Sequence, residues 1–129
     1  MLDMIAGYME AGFLENIVDM FKSDPALFKH LPGLVADERG RVRLGAAALV
    51  EELLPAYRAD IERTVGSIAR VALTNENPAI RGDAAYLLEL IGGEAATAAL
   101  RAALGAEADP AVREAIMDAL KDDDTAAAT

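Results

Sequence analysis

The residue types that most often perform chemistry in proteins are scarce in this chain. There are no cysteines and a single histidine, His30. Thiolate catalysis, disulfides and cysteine metal sites are therefore excluded, and a histidine-rich metal centre cannot be assembled. His30 follows Lys29 just before Leu31-Pro32, with no nucleophile nearby in the sequence. We expect His30 to lie at a helix end and not to act as a catalyst.

Acidic clusters and glycine pairs are the remaining candidates for a site. Glu51-Glu52 and residues 122–124 could attract a hard cation, but their spacing matches no calcium-binding loop. Runs of charge are more often solvated helix ends. Gly92-Gly93 belongs to no phosphate-binding motif and indicates a helix end. The sequence therefore predicts no metal, no cofactor and no catalytic residue, and so a protein that is not an enzyme.

The net charge of the chain disfavours certain classes of binding partner. Its 129 residues carry a formal net charge of −10, which disfavours nucleic acid and anionic membrane surfaces. The apolar N-terminal stretch lacks the basic start of a signal peptide, and acidic residues interrupt it too often for a membrane span. We expect a single-domain cytoplasmic protein that binds neither nucleic acid nor membrane.

A short basic strip is the first candidate binding surface. It comprises one residue of the second predicted helix, three of the fourth and one of the sixth: Lys29, Arg63, Ser67, Arg70 and Arg101. Such a strip would suit a protein partner with an acidic segment. The alternative is that its arginines pair with acidic neighbours such as Glu62 and Glu94.

The N-terminal helix is the second candidate surface, because it is apolar nearly all round. Met4, Tyr8, Met9 and Phe13 could form a homodimer contact or bind a partner. The alternative is that this helix only covers the first helical repeat as a hydrophobic cap.

Hydrophobic spacing predicts an all-α chain. No run of alternating β-branched residues indicates a strand. The sequence predicts helices at about residues 3–22, 25–36, 40–54, 56–73, 78–91, 94–104 and 110–121. Asp24-Pro25, Asn77-Pro78 and Asp109-Pro110 combine a capping side chain with a proline that needs no amide partner, and so predict helix starts. Pro32 predicts a break, and Pro55 predicts the end of the third helix.

One phrase recurs along the chain, an aliphatic residue followed by arginine. Val42-Arg43, Ile80-Arg81 and Val112-Arg113 each precede small or apolar residues three and four positions later. The arginines are 38 and then 32 residues apart, a period that holds two helices and two turns. A repeat of this length is typical of an α-solenoid, in which stacked helix pairs bury each other's apolar faces.

Residues 77–121 resemble HEAT-like repeats of the short bacterial and archaeal type, similar to those of bilin lyases. The matching features are Asn-Pro or Asp-Pro, an aliphatic residue, arginine, paired small residues and a glycine turn. The resemblance implies a short right-handed α-solenoid, or α-α superhelix, of about seven helices. It implies one domain over 1–122, with units 1–36, 37–75, 76–106 and a half repeat at 107–122. A disordered acidic and alanine-rich tail is expected at 123–129.

The same resemblance implies a structural role for Arg43, Arg81 and Arg113. In such repeats this arginine forms hydrogen bonds and ion pairs along the stack, here near Asp37, Asn75 and Glu107 in the preceding turns. The alternative is a row of anion-binding arginines. Iron-dependent hydroxylases built on similar repeats need His-Glu pairs, and the chain has none.

A repeat fold says little about function, because function depends on the site that the fold carries. The resemblance also implies a concave face lined by the second helix of each pair, which here are the helices that carry the basic strip. We expect a non-catalytic protein-interaction module or scaffold that uses this concave face, the N-terminal helix or both. The alternative is an accessory subunit that binds a small molecule or supports an enzyme in trans, in a lyase-like or chaperone-like role.

Overall fold

The protein is all-helical in a computed structural model, with 85% of residues in helices. The structure describes residues 1–121 in full and, for residues 122–128, only the helical assignment of the backbone. The tail predicted at 123–129 lies outside the fully described residues. The elements are α1 (Leu2–Glu10), α2 (Leu14–Ser23), a 3₁₀ helix (Pro25–His30), α3 (Leu31–Val35), α4 (Gly40–Glu62), α5 (Val65–Thr74), α6 (Pro78–Ile91), α7 (Gly93–Ala106) and α8 (Pro110–Ala128).

The predicted helix starts are capped by the side chains that the sequence supplies. Asp24 Oδ1 accepts a hydrogen bond from the Ala26 amide at 3.2 Å, and Asn77 Oδ1 accepts one from Ala79 at 2.9 Å. Asp109 Oδ1 likewise accepts from the first amides of α8. Each acceptor satisfies a backbone donor that has no partner within its helix. The predicted bounds of 78–91 match α6.

The helix predicted over 3–22 is wrong, since the structure divides it into α1 and α2. Gly12 has a φ of 94°, in the left-handed region that glycine enters at low cost. The Gly12 amide donates to Met9 O at 3.1 Å, and the Phe13 amide donates to Tyr8 O at 2.9 Å. These two bonds form a Schellman motif, which ends α1 and turns the chain.

The helix end predicted at Pro55 lies two residues later in the structure. The range Gly40–Glu62 of α4 contains two helical segments joined by a kink at Tyr57, where φ is −125° and ψ is 32°. A proline inside a helix removes one hydrogen bond and crowds the preceding turn, so a bend is the expected response. α4 ends at Glu62, and the hydroxyl of Thr64, which precedes α5, donates to Ile61 O at 2.6 Å.

Helices two places apart in the chain pack on each other. α4 contacts α6 and α6 contacts α8, while α3 contacts α5 and α5 contacts α7. Consecutive helices from α5 onward also pack together, and α1 and α2 both lie against α4. One hydrophobic core runs through all of these contacts. Apolar residues at helical spacing within 40–54, 56–73 and 78–91, such as Leu49, Ile68 and Leu87, are buried, and Phe13 is 52% exposed.

A glycine permits the close contact between α1 and α4. Met9 of α1 is buried, and its sulfur occupies the space that a Cβ would take at Gly45 of α4. Met9 was a candidate surface residue, and that assignment is wrong because its side chain fills the interface between these two helices.

We predict opposite effects from two glycine substitutions. Gly45→Ala should lower the free energy of unfolding by about 1–3 kcal/mol, because the new methyl group forces Met9 out of its position. Gly7→Ala is the matched change on α1, where a Cβ would meet no atom within 4 Å. It should raise the free energy of unfolding by about 0.5–1 kcal/mol. Urea denaturation of both variants would measure this, and equal effects would contradict the packing described.

Candidate functional site

Three arginines make the same contact with the turn that precedes their own helix. Each donates from Nη1 to the carbonyl oxygen of the residue six positions earlier. The pairs are Arg43 with Asp37 at 2.8 Å, Arg81 with Asn75 at 2.8 Å and Arg113 with Glu107 at 2.9 Å. These carbonyls lie in turns, where no helix partner is available to them, and the guanidinium groups satisfy them.

The side chains of the same three turn residues, Asp37, Asn75 and Glu107, also accept hydrogen bonds within their turns. In each case the side-chain oxygen accepts from the backbone amide two residues later: Asp37 from Arg39 at 2.8 Å, Asn75 from Asn77 at 2.9 Å and Glu107 from Asp109 at 3.0 Å. One residue therefore fixes each turn twice, through its carbonyl and its side chain. Aspartate, asparagine and glutamate can all perform this role because it requires only a side-chain oxygen acceptor.

Two of these arginines also reach an acidic side chain farther along the chain. Arg43 Nε lies 2.6 Å from Asp83 Oδ2 on α6. Arg81 binds Glu107 with two nitrogens, at 2.8 and 2.9 Å, and the Glu107 side chain is only 3% exposed. Arg113 instead donates to Leu104 O at 2.9 Å. The donors that an anion would need on Arg81 are thus engaged within the protein.

Two carboxyl groups in the turns, those of Glu107 and Asp37, have lowered pKa values. Hydrogen bonds from the Arg81 side chain hold the pKa of Glu107 below its usual value, although burial acts in the opposite direction. The side-chain hydrogen bond from Arg39 likewise lowers the pKa of Asp37. Both groups are therefore ionised at neutral pH.

The residues of the predicted basic strip are all exposed, but they lie on different elements. Ser67 and Arg70 are one turn apart on α5, and Arg101 is on α7, which packs against α5. Lys29 lies in the 3₁₀ helix. The prediction that Arg63 shares a helix with Ser67 and Arg70 is wrong, because Arg63 caps the end of α4.

Ion pairs involve part of this strip. Arg63 Nη1 lies 3.3 Å from Asp60 Oδ1 and its side chain is 76% exposed. The predicted partner Glu62 instead pairs with Arg58 at 3.1 Å. Exposed pairs of this kind contribute little to stability, so they leave the arginine side chains accessible to a partner.

Four exposed apolar side chains lie on α1 and at the corner between α1 and α2, and we call them the N-terminal apolar surface: Met1, Met4, Tyr8 and Phe13. Their exposed fractions run from 42% to 63%. The rings of Tyr8 and Phe13 meet edge to face with centroids 6.1 Å apart. With Asn16 and Met20 they line an open cavity of about 360 Å³. Large apolar groups clustered on a surface commonly mark a binding site.

A groove that the sequence did not predict lies on the other side of α2, between this helix and α4. Its volume is about 550 Å³, and four carboxylates line it: Glu15, Asp19, Glu51 and Glu52. The sequence carries the acidic pair on each helix, but it does not reveal that the two pairs face one space. The break at Gly12 decides this, because it directs α2 separately from α1.

In the described part of the chain, the acidic and histidine side chains are too dispersed to form a metal site. Within it, no group of three or more histidine, aspartate and glutamate side chains is arranged to hold a metal. No helix there combines the length and apolarity that crossing a membrane requires. His30 is partly buried at the end of the 3₁₀ helix, and burial together with Lys29 lowers the pKa of its imidazole.

Comparison with known proteins gives no match to a family model, to a curated protein or to a solved structure.

The Arg81–Glu107 pair should make stability depend on pH. Because the folded pKa of Glu107 lies below 4.5, its stabilising effect is complete above that pH and is lost as pH falls through the lowered pKa. Glu107→Gln should therefore cost about 2–3 kcal/mol at about pH 7. The difference from wild type should shrink toward about pH 2.

Urea denaturation across this pH range would measure the effect. Glu114→Gln is the matched control, because Glu114 is exposed and should change stability by less than about 0.5 kcal/mol. A difference between wild type and Glu107→Gln that stays constant from neutral to acid pH would show that the charge of Glu107 is not its source.

Proposed function

We propose that this chain is a non-catalytic protein-interaction module, built as a short right-handed α-solenoid of HEAT-like repeats. The N-terminal apolar surface is its main binding face, and its partner is a protein. The observation that carries this proposal is that Met4, Tyr8 and Phe13 are between 42% and 52% exposed, whereas Ile5, Met9, Ile17 and Phe21 of α1 and α2 are buried.

Two features support the solenoid. The helix contacts follow two parallel series, α4–α6–α8 and α3–α5–α7, as expected when successive helix pairs stack. The contact between an arginine and the carbonyl six residues earlier occurs three times, at Arg43, Arg81 and Arg113. Recurrence of both packing and turn chemistry favours repeats of one structural unit.

The chemistry of the N-terminal apolar surface favours a protein partner. Tyrosine, phenylalanine and methionine are all enriched at protein interfaces, and the two aromatic residues offer large contact area with few torsions to immobilise. The cavity beside Tyr8 and Phe13 is open, with Asn16 its main polar neighbour. A small-molecule site would instead need an enclosed pocket with several converging polar groups. The interaction role is therefore favoured over the accessory small-molecule role.

The exposed arginine strip offers a second contact. Arg63, Arg70 and Arg101 are spread over the end of α4, α5 and α7, so a bound segment would have to cross these helices. An acidic segment would complement them. This assignment is secondary because Arg63 already pairs with Asp60.

The proposal is tested with the double variant Tyr8→Ser, Phe13→Ser. Immobilised wild type should retain a protein from the soluble lysate of the native host, and the double variant should lose it, with affinity reduced at least about tenfold. Leu44→Ser, Met117→Ser is the matched control, because both side chains are exposed and apolar but lie on α4 and α8. This control should retain the partner. Circular dichroism would verify that all variants are folded.

Other outcomes have defined meanings. Loss of the partner only in an Arg63→Glu, Arg70→Glu, Arg101→Glu variant would move the binding face to the arginine strip. Sedimentation analysis would identify a homodimer if wild type self-associates and the Tyr8→Ser, Phe13→Ser variant does not. Retention of the same partner by the double variant would contradict the assignment of the N-terminal apolar surface.

A further inference from the structure

The groove between α2 and α4 has an apolar floor and acidic sides. Leu14 and Val18 of α2 and Ala48 of α4 form the floor. The sides carry carboxylates from both helices, Glu15 and Asp19 on α2 and Glu51 and Glu52 on α4. Lys22 is the one basic side chain among the lining residues. The groove is thus amphipathic, with negative charge on both of its sides.

Lys22 balances only part of the negative charge that the described lining residues place along this groove. None of the four carboxylates forms an ion pair with a described residue. Glu51 accepts only a weak hydrogen bond from the Tyr86 hydroxyl, at 3.4 Å. All four side chains are exposed. The carboxylates on both sides of the groove are therefore available to a ligand of opposite charge.

The shape of the groove selects among positively charged ligands. The four carboxylates are spread along two helices and are not arranged to hold one metal ion. Glu15 and Asp19 are four residues apart, which places them on one face of α2 about one turn apart. A helix laid in the groove would place an apolar stripe on the floor and direct lysine or arginine side chains at both acidic sides.

We propose that the α2–α4 groove binds a basic amphipathic helix of a partner protein. Charge complementarity selects the basic face, and the apolar floor selects the amphipathic pattern. The groove lies on the opposite side of α2 from the N-terminal apolar surface, so this inference goes beyond the proposed function. It also reverses the charge expected of the partner, since the basic strip had suggested an acidic segment.

The test uses a fluorescein-labelled peptide of about 18 residues in which leucine and lysine alternate with helical periodicity. Anisotropy at about 0.15 M salt would measure its binding to the whole chain. A variant with Glu15→Gln, Glu51→Gln and Glu52→Gln should bind the peptide at least about tenfold more weakly. The matched control carries Glu38→Gln, Glu76→Gln and Glu114→Gln, removes the same three charges and should bind within about twofold of wild type.

A second variant tests the floor without altering charge. Ala48→Phe fills the groove and should also weaken binding at least about tenfold. A peptide with glutamate in place of lysine should not bind. The Tyr8→Ser, Phe13→Ser variant should bind the lysine peptide as wild type does, so failure here is separate from failure of the proposed function.

Three results would overturn the proposal. One is no binding of the lysine peptide to wild type. Another is equal weakening by the two glutamine triple variants, because binding would then follow net charge alone. The third is unchanged binding by Ala48→Phe while circular dichroism shows all variants folded, because the peptide would then lie outside the groove.

Discussion

Three hydrogen bonds, each from an arginine to the turn before its own helix, hold α4, α6 and α8 in place relative to the turns that precede them. A turn between helices exposes carbonyl groups that no helical ladder satisfies, and leaving them buried without partners would be costly. Arg43, Arg81 and Arg113 each supply the missing donor. Because Arg81 also binds Glu107, which fixes the next turn, the position of α8 is linked to that of α6.

Part of this arrangement could be read from the sequence. The aliphatic-arginine phrase located the three arginines, Asn77-Pro78 and Gly92 gave the bounds of α6, and periodicity gave the buried faces of the central helices. These signals are local, so one sequence suffices to recognise them. The break at Gly12 was missed because apolar residues continue across it with helical spacing, and a single glycine is compatible with either outcome. The sequence predicted a helix end at Pro55, whereas the structure has a kink at Tyr57. A proline is compatible with either a kink or an end, and the packing around α4 decides between them.

The candidate surfaces were harder to predict than the fold. Exposure of Tyr8 and Phe13 depends on the direction of the chain at Gly12. The α2–α4 groove brings together lining residues that are far apart in the sequence, 14–22 on α2 and 48–52 on α4. Neither arrangement has a local pattern. In the interior, by contrast, polar side chains are paired: within the described residues no buried side-chain nitrogen or oxygen lacks a hydrogen-bond partner. Polar groups inside serve the fold, and the apolar and acidic groups left outside are those for which binding is proposed.

The Schellman motif at Gly12 has a consequence for the energetics of association. The two residues joined by its longer hydrogen bond are Tyr8 and Phe13, whose rings also contact each other. A hydrophobic contact between these two positions commonly accompanies the motif. The hydrogen bond that ends α1 therefore also fixes the two aromatic residues next to each other before any partner arrives. Much of the conformational entropy that an aromatic pair normally loses on binding has then already been lost during folding, which leaves more of the contact energy for affinity.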